Sequence, residues 1–118
     1  MTDKEVFEYH GYEEQCKHIT SEMHELTSAI QKYELITGPL NAVEAARKLM
    51  VWNNICEEIA DVEFMLNQIK EKYLIKEYNI KPWGDYKRKR EHKRIKEGYY
   101  EQDRKQSTRG DNILSKEE

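Results

Sequence analysis

The sequence predicts an all-α protein, an antiparallel helical bundle built on a four-helix core. Two long stretches carry apolar residues at alternating steps of four and three: Ile19, Met23, Leu26, Ile30 and Tyr33, then Ile55, Ile59, Val62, Leu66, Ile69 and Tyr73. That rhythm is the seam of amphipathic helices that pack on one another. No segment reads as a convincing strand, and neither an internal repeat nor a glycine-rich phosphate loop is present. At 118 residues the chain is the size of one domain, and 36% of it is charged against 37% hydrophobic, so a single copy has a thin core. Burial is therefore expected to be completed by self-association, as a homodimer or homotetramer.

Taken in order, residues 3–10 read as a short lead-in helix that Gly11 interrupts. Tyr12 to Glu34 is the first long helix, and Thr37-Gly38-Pro39 ends it, because proline disfavours helix at the residue before it. Asn41 is placed to cap a helix that begins at Ala42. A break or kink is expected near Asn53-Asn54, since asparagine favours caps over helix interiors. The second seam then runs on to an end around Glu77 to Asn79, and Lys81-Pro82-Trp83-Gly84 reads as a turn. Tyr86 to Glu97 is a basic helix ending at Gly98. Residues 1–100 thus form the helical domain, and 101–118 a polar, aperiodic, flexible tail.

The net charge of −3 hides an uneven distribution. Acid dominates up to about residue 80, and base from Lys81 to Arg109. Cys16 and Cys56 have no CxxC spacing and read as reduced, buried thiols, while a zinc site from Cys16, His18 and His24 lacks the tight pairing such sites show. The N-terminus is charged and no apolar run reaches membrane length, so a cytoplasmic protein without a membrane partner is expected.

The chemistry-bearing residues are carboxylates. Glu58 and Asp61 sit three apart and share a helix face, and Glu22 and Glu25 repeat that spacing on the earlier helix. Both pairs flank an apolar seam. If the two helices pack antiparallel, four carboxylates converge on one point. Held beside a core, they repel and lose hydration, a costly arrangement unless a cation joins them. Hard oxygen ligands suit Mg²⁺, with Mn²⁺ as a substitute. The bland reading of each pair is a solvated acidic face.

ExxE on one helix, followed by EExxD on a later one within "EEIADVEFML", resembles the MazG-like all-α nucleoside triphosphate pyrophosphohydrolases, especially their small single-module members. The similarity spans roughly residues 9–98 and is densest over 15–32 and 53–73. The linker between the motifs is longer than is common there, and Ser21-Glu22 stands where many members have two glutamates. The resemblance implies a Mg²⁺-dependent hydrolase that converts an NTP or dNTP to the monophosphate and pyrophosphate by attack at the α-phosphorus. It makes Glu22, Glu25, Glu58 and Asp61 the metal ligands and catalytic residues, with Glu25 or Glu22 doubling as the base. Lys32, and Arg90 and Arg94 of the basic segment, become candidates for the phosphates. His10 and Gln15, ahead of the first motif like Tyr9, become candidates for the base, with Trp52 and Trp83 as aromatic alternatives. Gln68, seven residues past Asp61, falls on the metal-facing side, where it can hydrogen-bond substrate.

A different class of protein fits the same chain: a non-catalytic helical module that binds a partner, or nucleic acid, through the basic helix at 86–97. The acidity of the chain as a whole argues against nucleic acid. A third expectation is a relative that keeps the fold and metal site without activity.

Overall fold

The computed structural model describes residues 1–101 as helices joined by short connections, and no strand occurs among them. The chain is all-α, with α1 at Asp3–His10, α2 at Tyr12–Glu34, α3 at Ala42–Lys72 and α4 at Glu77–Lys96. Apart from Glu101, the tail expected at 101–118 lies outside the described residues. Two compact units divide the chain, Met1–Ile75 and the part from Lys76 onward. Among the described residues, no helix is long and apolar enough to cross a membrane.

Local chemistry sets the helix ends. Thr2 caps α1 and Asn41 caps α3, each accepting from the backbone N–H three residues on, while Glu5 and Glu44 return the bond to the cap. Gly11, at φ 86°, turns the chain between α1 and α2. Helix α3 closes in a Schellman motif: the Ile75 N–H bonds the Lys70 carbonyl and the Leu74 N–H the Glu71 carbonyl. Its left-handed position is filled by Leu74, at φ 56°, where glycine is usual. The same motif closes α4, with Gly98 at φ 75° and the Tyr99 N–H on the Arg94 carbonyl.

Within the first unit, α2 and α3 run antiparallel and α1 packs against both. The buried apolar residues are Phe7, Ala29, Ile36, Val62 and Met65. Gln15 and Gln68 share that interior, and the Gln15 amide donates to the Gln68 carbonyl at 2.6 Å. The α1–α3 contact adds an edge-on pair of Phe7 and Tyr73 rings and an ion pair between Lys72 and Glu8 at 2.9 Å. In the second unit none of the α4 side chains is buried. Asp85 bridges Lys81 and Arg88 along it, at 2.8 and 3.0 Å.

Several expectations need correction. Helix α3 passes through Asn53-Asn54 without a break. Val51, Asn54 and Ile55 are all half-buried, and that packing outweighs the few tenths of a kcal/mol by which asparagine disfavours a helix. The same helix stops at Lys72, before the expected 77–79, through the Leu74 reversal. Residues 81–84 are helical, with Pro82 the sixth residue of α4. There it removes a single N–H bond, to the carbonyl of exposed Tyr78. Cys16 and Cys56 are exposed, where buried thiols were expected.

The apolar seams are also only partly internal. The half-buried and buried stripe on α2 is Gln15, Ile19, Glu22, Leu26, Ala29 and Tyr33. Met23 and Ile30, expected on it, are 45% and 43% exposed, and Ile59 and Leu66 on α3 are each 42% exposed.

Candidate metal centre

Glu22 sits on the inward stripe of α2 and Glu58 on that of α3, where spacing alone placed them at its flank. One register brings the acids together. It sets Gln15 against Gln68, Glu22 against Asp61 and Glu25 against Glu58. A carboxylate oxygen from each of Glu22, Glu58 and Asp61 lies within 4.8 Å of the other two. Glu25 completes the group through hydrogen-bonding contact with Glu58, as Glu22 has with Asp61. Carboxylates in such contact share a proton or a cation.

The cluster is strained electrostatically. Lost hydration raises the pKa of the Glu22 carboxyl, and the charges of Glu25 and Asp61 raise it further, while His18 opposes them from one turn earlier. Glu58 is raised for the same leading reason, with Glu25, Asp61 and Glu22 adding repulsion. Both residues hold one oxygen, Oε1, that is fully buried and accepts no hydrogen bond. A buried carboxylate oxygen without a donor is costly, and a hard cation there would supply the missing partner. The donor set, all carboxylate oxygens, fits Mg²⁺ or Mn²⁺ and lacks the sulfur or imidazole that zinc prefers.

The other candidates are distributed unevenly. Lys32 is exposed in the last turn of α2, seven residues past Glu25 and so on the same edge of the helix. Gln15 and Gln68 are 3% and 1% exposed, so their amides face each other rather than a ligand. Exposed His10 ends α1, its ring edge-on to Tyr9 at 5.0 Å and to His18 at 6.1 Å. Arg90 and Arg94 belong to the second unit, stacked over Tyr86 at 5.5 Å and Tyr99 at 4.9 Å. Trp52 lines a groove of about 410 Å³ with Tyr33, Leu40, Ala45, Lys48 and Leu49, and Lys48 covers the Tyr33 ring at 4.8 Å. Trp83 is exposed on α4.

Sequence reasoning passed over His18 as a neighbour of the acids. Its position four residues before Glu22 is the signal, since that spacing stacks the two on one helix face. No protein-family model, curated protein or solved structure matches the chain.

Proposed function

We propose that this protein is a divalent-metal-dependent nucleoside triphosphate pyrophosphohydrolase of the MazG-like kind, acting in nucleotide pool control as a homodimer or homotetramer in the cytoplasm. The observation that carries the reading is the meeting of Glu22, Glu25, Glu58 and Asp61, two of them with a buried oxygen that lacks a donor.

Glu22, Glu58 and Asp61 would hold the cation, with Glu25 beside them. Bound Mg²⁺ supplies charge to offset the phosphates and lowers the pKa of a water. An oxygen not fully committed to the metal, on Glu25 or Glu22, would accept the proton of a water whose oxygen attacks the α-phosphorus. The bond from that phosphorus to the bridging oxygen breaks, and pyrophosphate leaves. Lys32, on the same edge of α2 as Glu25, would meet phosphate charge.

The test is a panel of canonical and damaged NTPs and dNTPs assayed for pyrophosphate release with Mg²⁺, Mn²⁺ or EDTA, beside Glu58→Gln and Asp61→Asn. Metal-dependent release that both variants lose is the expected result. Orthophosphate in place of pyrophosphate would move the cleavage position. A folded protein with neither turnover nor metal binding would sink the reading.

A second reading draws on α4, where eight Lys and Arg residues stand against Glu77, Asp85 and Glu91, all of them unburied. A nucleic-acid-binding helix of this kind gives binding that weakens steeply with salt and survives Glu58→Gln.

A further inference from the structure

We infer that one face of α4, carrying Trp83, Tyr86, Lys87, Arg90, Lys93 and Arg94, is a binding surface for single-stranded nucleic acid. This rests on the second reading above, to which it gives a face, a strand form and contacting residues, and it is independent of the hydrolytic chemistry. Steps of four, three and four join Trp83, Lys87, Arg90 and Arg94, so they line one side of the helix over about 17 Å. Tyr86 and Lys93 border that line, three residues after Trp83 and Arg90. The face has four positive charges and no acid.

The acids of the helix stand on a different side. Glu77, Lys81, Asp85, Arg88 and Glu91 follow one another at steps of four, four, three and three, a second stripe turned about 130° from the first. Its charges offset each other: Asp85 pairs with both Lys81 and Arg88, and Glu91 accepts from the Tyr100 hydroxyl at 2.5 Å. On the first face, Lys87, Arg90, Lys93 and Arg94 make no ion pair among the described residues. Two of these cations lie against rings instead, Arg90 over Tyr86 at 5.5 Å and Arg94 over Tyr99 at 4.9 Å. Their charge is thus left for a partner from outside.

Charge complementarity calls for a polyanion, and the rings select its form. Cations strung along the helix match a chain of phosphates better than one small anion. Trp83 and Tyr86 are 64% and 56% exposed and meet edge-on at 6.4 Å, so both offer ring surface to a stacking partner. In a duplex the bases stack on each other and offer no face to an outside ring. In a single strand they do, and stacking on aromatic side chains beside a cationic track is how such strands are held. A membrane surface fits less well. The other exposed apolar residues of α4, Tyr78, Ile80 and Ile95, are spread round the helix and form no continuous apolar face to enter a bilayer.

Fluorescence anisotropy of the full chain with labelled oligo(dT) and oligo(U) of about 15 nucleotides, and with a duplex of the same length, tests this. Four phosphate contacts on a single strand should weaken binding about 50-fold between 50 and 200 mM salt, and the tighter oligonucleotide names DNA or RNA. Lys87→Ala/Arg90→Ala should cut that salt dependence to about 7-fold. Lys81→Ala/Arg88→Ala removes the same charge from the other stripe and should leave it near the wild-type value, with the helicity of both variants checked by circular dichroism. Trp83→Ala should weaken binding about tenfold at every salt concentration, and Trp83→Phe should keep most of the affinity. In Trp52→Phe, Trp83 is the single tryptophan, and its fluorescence should be quenched by the bound strand. No binding to either oligonucleotide at about 100 μM protein in 50 mM salt would overturn the inference and the second reading together. Tighter binding to the duplex, equal losses in the two charge variants, or binding without quenching would overturn the inference and leave that reading standing. Binding to phosphatidylserine vesicles in place of the oligonucleotides would mean a membrane surface and would overturn both.

Discussion

Replacing Gln68 by leucine should destabilise the protein, and replacing Gln15 as well should restore most of the loss. The two amides are 3% and 1% exposed, and a single 2.6 Å hydrogen bond joins them. Gln15 Oε1 has no partner even in the native pair. With Gln68 gone, the whole Gln15 amide is buried unbonded. Such a group costs about 1–3 kcal/mol, whereas removing both partners of a buried bond is nearly neutral. We expect Gln68→Leu to lose roughly 2 kcal/mol, equivalent to about 5–10 °C in Tm for a chain of this size. The double variant Gln15→Leu/Gln68→Leu should lie within about 1 kcal/mol of wild type, a coupling on the order of 2 kcal/mol. Urea titrations followed by circular dichroism at one protein concentration give these values directly. Additive losses, or a single variant as stable as wild type, would refute the claim that the pair is a closed buried unit. The same variants separate pairing from substrate contact: if the amides only meet each other, the double variant keeps the wild-type KM.

In EDTA, Tm should rise as pH falls from 7 towards about 5. The Glu22 and Glu58 pKa values are raised, so the fold holds extra protons above the ordinary 4.5, and stability drops as pH climbs through that window. Scanning fluorimetry across pH checks this, and Glu22→Gln/Glu58→Gln should flatten the curve. At neutral pH, Mg²⁺ at a hundredfold excess over its Kd should add about 2.7 kcal/mol, measured by thermal melts, and Asp61→Asn should abolish the gain. Leu74→Gly should stabilise by about 0.5–1 kcal/mol in urea titrations. Leucine is strained at φ 56°, and this side chain is 72% exposed, so little burial is lost. Asn41→Ala should cost about 1 kcal/mol by removing the α3 cap, read as a lower urea midpoint.

What could be read from the residues depended on whether local chemistry decided the outcome. The span of α2 and the start of α3 were legible because Gly11, Gly38, Pro39 and Asn41 act on their own neighbours. The continuity of α3 was not, because Asn54 is half-buried inside the helix, and burial is a tertiary outcome that its own helix propensity does not report. The end of α3 was hidden because leucine occupies a position that glycine would have announced. At the site, i, i+3 spacing was enough to pair Glu22 with Glu25 and Glu58 with Asp61, and an antiparallel register was enough to join the pairs. The fate of Gln15 and Gln68 was not legible. A glutamine seven residues along a helix from an acid shares its edge, but α1 covers that end of the pair, and only tertiary packing decides which part of an edge stays open.

The four crowded carboxylates have a consequence for anyone who screens variants of this chain. A library sorted for expression or heat resistance without divalent metal will enrich neutral residues at positions 22, 25, 58 and 61, because each removes repulsion. The most robust clones would then be those least able to hold a cation. If these residues hold the proposed cation, sorting the same library in excess Mg²⁺ should reverse the pressure at those four positions and leave it unchanged elsewhere. Comparing the two enrichments position by position would map the cation's ligands without a substrate ever being known.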